Sequence, residues 1–91
     1  MKQITVELSL YPLADDFIPP IVEFVRRLKA YKELDVVTNA VSTQIVGDHK
    51  RVFEILSEET ERVFSEGSSI VVMKIIGFGR DIHREYCTEP N

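Results

Sequence analysis

The chain has 91 residues, 44% of them hydrophobic, which is enough for one domain with a modest core and much exposed surface. Lys and Arg number 11 against 15 Asp and Glu, so the net charge of -4 has the wrong sign for a nucleic-acid-binding face and mildly favours a cationic ligand. A single cysteine, Cys87, excludes an intrachain disulfide and suits a reducing cytoplasm.

The opening stretch, MKQITVELSL, goes straight into alternation, and no long apolar segment or small-residue cleavage site follows. The expectation is a cytoplasmic protein without signal peptide or membrane insertion, pairing with itself to cover surface that so small a core leaves open. Ile4, Val6, Leu8 and Leu10 alternate with Thr5, Glu7, Ser9 and Tyr11. That period of two predicts a strand with one core face and one more polar face, ending near Pro12.

Asp15 and Asp16 are expected to cap a first helix, with Pro19 and Pro20 in its first turn. Ile21, Phe24, Val25, Leu28 and Tyr31 then follow helical spacing, and Arg26, Arg27 and Lys29 suit the helix's C-terminal dipole. Leu34 to Asn39 reads as a second strand and Thr43 to Gly47 as a third, joined by a tight connection. Asp48 is placed to cap a second helix, whose face is traced by Val52, Phe53, Leu56, Thr60, Val63 and Phe64. Glu58, Glu59 and Glu61 read as its solvated side, and Gly67 as its stop.

SSIVVMKIIGF is the fourth strand, apolar on both faces apart from Lys74, which asks for a covering partner. Residues 79–91 form a polar tail, and the whole chain, 1–91, reads as one domain. The order strand, helix, strand, strand, helix, strand predicts an α+β, ferredoxin-like βαββαβ two-layer sandwich. Its four-stranded antiparallel sheet has the first and third strands central and both helices on one face. Thr5, Glu7, Ser9, Tyr11, Ile70, Val72 and Lys74 fall on the uncovered face.

The residue inventory argues against an enzyme. The acidic YPLADDF stands where a phosphate-binding loop would need glycines and an arginine, and the serines lack a neighbouring histidine. His83 and Cys87, four apart, make too thin a set for a metal site, and no cofactor is expected. A soft-metal chaperone would need two cysteines, and an RNA-recognition sheet would need aromatics and basic charge.

Two polar stretches remain: SLYPL, Ser9 to Leu13, and the uncharged TNAVSTQ, Thr38 to Gln44. An Asn or Gln amide presents a donor and an acceptor in one plane, which matches the edge of an aminopyrimidine. Tyr11 can stack on such a ring, and Glu7 or Asp16 can lie near a ligand's positive charge. The same residues also have an ordinary account. Thr38 and Thr43 are common strand residues, Asn39 is a common turn residue, and Tyr11 serves equally as an interface aromatic.

LSLYPL, then DDFIPPI, then VVTNAVSTQIVGD leading into a helix resembles the thiamine-binding, YkoF-like proteins up to about Gly77. The resemblance implies a ferredoxin-like domain that binds thiamine or its hydroxymethylpyrimidine moiety without catalysis, with links to vitamin uptake or salvage. It carries Ser9 and Tyr11 over from the first block and Thr38, Asn39, Ser42, Thr43 and Gln44 from the second as ligand-binding candidates. With one domain copy in this chain, a pocket built from two domains would form across a homo-oligomer. The alternative is a structural or regulatory self-associating module that has no vitamin ligand.

Overall fold

A computed structural model describes residues 2–84. Its elements run β1 (Gln3–Pro12), α1 (Ile18–Lys29), β2 (Asp35–Thr38), β3 (Thr43–Asp48), α2 (His49–Glu66) and β4 (Ser69–Ile76). The strands form one antiparallel sheet in the order β2-β3-β1-β4, with β1 and β3 in the middle, as the sequence predicts.

The alternation in β1 puts Ile4, Val6, Leu8 and Leu10 in the core. Phe24 and Leu28 of α1 and Val52, Ile55, Leu56 and Val63 of α2 close over them, so both helices cover the same sheet face. Each side chain of this size, fully buried, contributes about 1.5–3 kcal/mol. Ile21, placed in the core by its helical spacing, is only partly buried. Leu34, Ile45 and Ile55 join the core beyond the expected set. In β3 the chain passes so close to its neighbours that any side chain at Gly47 would force the side chains packed against it to shift. A Cβ on Gly47 would lie 2.9 Å from Leu34 Cδ2 and 3.1 Å from Val52 Cγ2.

Three local expectations are corrected. Neither Asp15 nor Asp16 caps α1: the cap position is Phe17, whose side chain makes no capping hydrogen bond. Pro19 and Pro20 explain why none is needed, because each removes one of the backbone N–H groups that a cap would satisfy. Glu59 is not on a solvated face but buried between the helices. Phe64, counted in the apolar stripe of α2, is half exposed. Asp48 does cap α2, accepting from the Arg51 amide at 3.2 Å.

After β4 the chain folds back over one end of the open sheet face. Thr5 Oγ1 donates to the Phe78 carbonyl at 3.0 Å and accepts from the Arg80 amide at 2.8 Å. This strap explains why Thr5 is buried although it lies on the open face. Further along, His83 Nε2 meets Asp35 Oδ1 at 2.6 Å, and that carboxylate raises the imidazole pKa above its usual value. The suggested pairing of His83 with Cys87 lies outside the described residues.

Among the described residues β4 is an edge strand, paired on one side only. Ile70 and Val72 on the open face are more than half exposed, and so is Ile75 on the helix side. The two-sided apolar character read from the sequence is therefore presented to the surroundings. No helix among the described residues is long and apolar enough to cross a membrane.

Candidate functional site

The ladders on the two sides of β1 end at different places. Pairing with β3 stops at Leu8 opposite Thr43, whereas pairing with β4 goes on to Pro12 opposite Ser69. Ser9 to Pro12 therefore overhang β3 as a strand edge, and the β2–β3 turn stands across from it. The result is a notch of about 350 Å³ at the end of the sheet. Six of the seven residues carried over by resemblance line it: Ser9, Tyr11, Thr38, Asn39, Ser42 and Thr43. Gln44 does not.

Register decides which way these side chains point. Leu8, Thr43 and Thr38 stand in one cross-strand row, and because Leu8 faces the core, the two threonines share the helix side. Their hydroxyls meet at 2.8 Å. Ser9, Tyr11, Gln44 and Glu7 belong to the opposite, open face. The candidates thus come from both faces of the sheet, and they converge only because the notch wraps around its end.

Asn39 is mostly occupied with its own turn. Its side-chain oxygen accepts from the amides of Val41 at 2.9 Å and Ser42 at 3.2 Å, and its backbone amide donates to the Ser42 carbonyl at 3.1 Å. The turn lacks glycine and proline, and this Asn side chain does the shaping instead. What is left for a ligand is the side-chain NH₂.

Ser42 links the turn to the open face. Its hydroxyl donates to Glu7 at 3.0 Å and accepts from Gln44 Nε2 at 2.7 Å. Lys74 approaches the other Glu7 oxygen at 3.4 Å. The Ser42 hydrogen bond and, after it, Lys74 hold the Glu7 carboxyl below its usual pKa, so it stays ionised beside the notch. Gln44 reaches the site through Ser42 rather than by lining the notch. Asp16, the other carboxylate considered, is exposed in the loop before α1 and does not line the notch.

The apolar side of the notch comes from Leu8, Leu10, Phe17, Ile21 and Val41. Phe17 and Tyr11 are each about half exposed, at 49% and 52%, and put two aromatic rings on the notch lining. Sequence reasoning did not find Phe17, Ile21 or Val41 as lining residues. Phe17 alone left a signal, as an aromatic outside the helical stripe of α1. The notch therefore pairs flat apolar surface with hydroxyls, one amide and a nearby carboxylate. That set is chemically suited to a small planar heterocycle.

Architecture and notch together define a small ferredoxin-like protein with an end-of-sheet cleft. Residues 3–78 match the YKOF-related family, and the chain belongs to it. Among solved structures it is similar to a protein of Thermotoga maritima assigned provisionally to thiamine biosynthesis or salvage. That likeness has a TM-score of 0.79 at 13% identity over 89% of this chain and 91% of the other. A hypothetical protein of Methanocaldococcus jannascii superposes with a TM-score of 0.72 at 22% identity, covering 100% of this chain and 88% of that one. A protein of Streptococcus pneumoniae gives 0.72 at 24% identity over 80% and 83%. At such identities the likeness concerns the fold. No curated protein matches the sequence.

Proposed function

We propose that this protein binds thiamine or its hydroxymethylpyrimidine moiety in the notch without converting it, as a cytoplasmic homo-oligomer serving vitamin uptake or salvage. The observation that carries the reading is the notch itself, where β1 overhangs β3 and brings Tyr11 and Phe17 together with the hydroxyls of Ser9, Thr38 and Ser42. Its volume of about 350 Å³ lies at the low end of small-molecule pockets, about 300–1,000 Å³, and favours a single substituted ring. The aminopyrimidine would lie between the aromatics, its polar edge toward the Asn39 NH₂ and the neighbouring hydroxyls. The ionised Glu7 carboxylate lies on the side where the thiazolium charge of intact thiamine would extend. Membership of the YKOF-related family and the likeness to the Thermotoga protein support the same ligand class.

The test is thermal melting with thiamine, hydroxymethylpyrimidine and the thiamine phosphates. A ligand present at about 100 times its dissociation constant adds about 2.7 kcal/mol, a readily visible shift. An unmoved melt with all of them would overturn the reading. It would favour a self-associating module instead, for which the exposed apolar residues of β4 speak.

A further inference from the structure

A second cavity lies on the other side of Pro12, the only residue it shares with the notch. It has a volume of about 420 Å³ and opens where the start of α1, the end of α2 and the start of β4 meet. Pro12, Pro19, Pro20 and Val63 give it apolar walls, Arg27, Glu23 and Glu66 supply its charged groups, and Ser69 belongs to its lining with the hydroxyl buried behind the surface.

Two of these polar groups have unused hydrogen-bonding capacity. The Ser69 hydroxyl is buried and has no hydrogen-bond partner among the described residues. Such groups are few in folded proteins and call for an explanation. The Arg27 side chain is only 13% exposed, and just its Nε makes a short contact, to Glu59 at 2.8 Å. Its two terminal nitrogens stand 3.6 Å from Glu23 and 3.8 Å from Glu66, outside the ordinary hydrogen-bond range. They remain able to donate to an oxygen in the cavity.

The charges narrow the ligand class. A simple carboxylate drawn to Arg27 would be repelled by Glu23, Glu66 and the Glu59 already bonded to it. A simple cation drawn to those carboxylates would meet the guanidinium. A molecule carrying both charges on neighbouring atoms satisfies the whole set, with its carboxylate on Arg27 and its ammonium toward Glu66. Glu23 is already engaged by Arg26, which leaves Glu66, 64% exposed, as the carboxylate best able to turn inward. The proline and valine walls then suit an apolar substituent.

We propose that this cavity is a second binding site, for a small zwitterion with an apolar side chain, of the α-amino acid type. The test is ¹H–¹⁵N NMR titration of the full chain with L-leucine, L-proline and L-phenylalanine. Isocaproate and isoamylamine serve as the carboxylate-only and amine-only counterparts of leucine. At least one amino acid should shift the amides of Gly67, Ser68 and Ser69 saturably. For that ligand, Glu66→Gln at its exposed position should weaken binding roughly tenfold, about 1.4 kcal/mol. Ser69→Ala should also weaken it, and leucine should bind at least about tenfold better than either single-charge counterpart if leucine is the ligand found. Asn39→Asp, a change in the notch, should leave this binding unchanged, so failure of the vitamin site and failure of this site are told apart. The proposal is overturned if none of the three amino acids shifts those amides. It is equally overturned if isocaproate or isoamylamine matches leucine, or if binding is untouched in both Glu66→Gln and Ser69→Ala.

Discussion

Glu59 of α2 is buried against Arg27 of α1, its carboxylate accepting the guanidinium Nε–H at 2.8 Å. The other carboxylate oxygen accepts the Tyr31 hydroxyl at 2.7 Å. One α2 side chain thereby ties down two positions a helical turn apart, in α1 and just past its end, alongside the apolar contacts of Phe24 and Leu28. Isolated surface ion pairs contribute about 0–1 kcal/mol, but here both partners are largely out of water, and losing Glu59 leaves the Tyr31 hydroxyl unpaired and Arg27 with only its longer contacts to Glu23 and Glu66.

Glu59→Ala should therefore destabilise the fold by about 3–5 kcal/mol, well above an ordinary surface substitution. Urea unfolding of the variant beside the parent chain measures it. A loss under about 1 kcal/mol would mean that the helices are held by their apolar faces alone.

The same contact makes stability depend on alkaline pH. The Glu59 carboxylate, and burial after it, push the Tyr31 hydroxyl up to about 12 from an ordinary 10. The folded pKa is raised, so this contribution is fully present below pH 10. It is lost as pH rises from there through about 12, because the unfolded chain gives up the proton first. Unfolding curves across that range should show a steeper decline for the parent than for Tyr31→Phe, which has no proton to lose. Parallel slopes would show that Tyr31 does not feel Glu59.

The position of Glu59 was legible in the sequence, although its burial was not. Leu56, Glu59 and Val63 are spaced three and four apart, the spacing of one helical face, and only the charge argued for solvent. What reverses that reading is Arg27, 32 residues away, and no local pattern announces which distant cation will meet a given carboxylate. Thr5 makes the same point on the sheet. Alternation placed it correctly on the open face, but its burial depends on a strap that crosses from Phe78 to Arg80. The layer arrangement, by contrast, follows from short-range signals, since the alternation of β1 and the apolar spacing of both helices are each readable within one element. The candidate site falls between these cases. The polar blocks were visible as composition, while the overhang of β1 past β3 depends on where two ladders stop.

Asn39 carries two demands on one side chain, and a single isosteric change separates them. Asn39→Asp keeps an oxygen to accept from the Val41 and Ser42 amides but removes the NH₂ donor. Stability should stay within about 0.5 kcal/mol of the parent. Affinity for hydroxymethylpyrimidine, which unlike thiamine carries no thiazolium charge to be attracted by the new carboxylate, should fall by about 1–3 kcal/mol. Asn39→Ala should lose both stability and affinity. Calorimetric titration and melting of the same samples decide it. An Asn39→Asp variant that binds as tightly as the parent would restrict Asn39 to shaping the turn.

The last expectation concerns what covers β4. Among the described residues its outer edge is unpaired, and apolar residues stand exposed on both of its faces, with Val72 at 58% on one and Ile75 at 51% on the other. Exposed apolar edges of this kind serve as templates for another strand. Two β4 strands meeting edge to edge would continue the sheet and bury side chains from both faces. Two open faces stacked on each other would bury Ile70 and Val72 but leave Ile75 in water. Light scattering should give a mass at least twice the 10.5 kDa of one chain. Val72→Lys should lower it under either arrangement, since a buried unpaired ammonium costs several kcal/mol. Ile75→Lys discriminates: it should dissociate an edge-paired dimer and leave a face-stacked one intact. A parent chain that is monomeric at micromolar concentration would remove self-association altogether, and the notch would then have to bind its ligand within one copy.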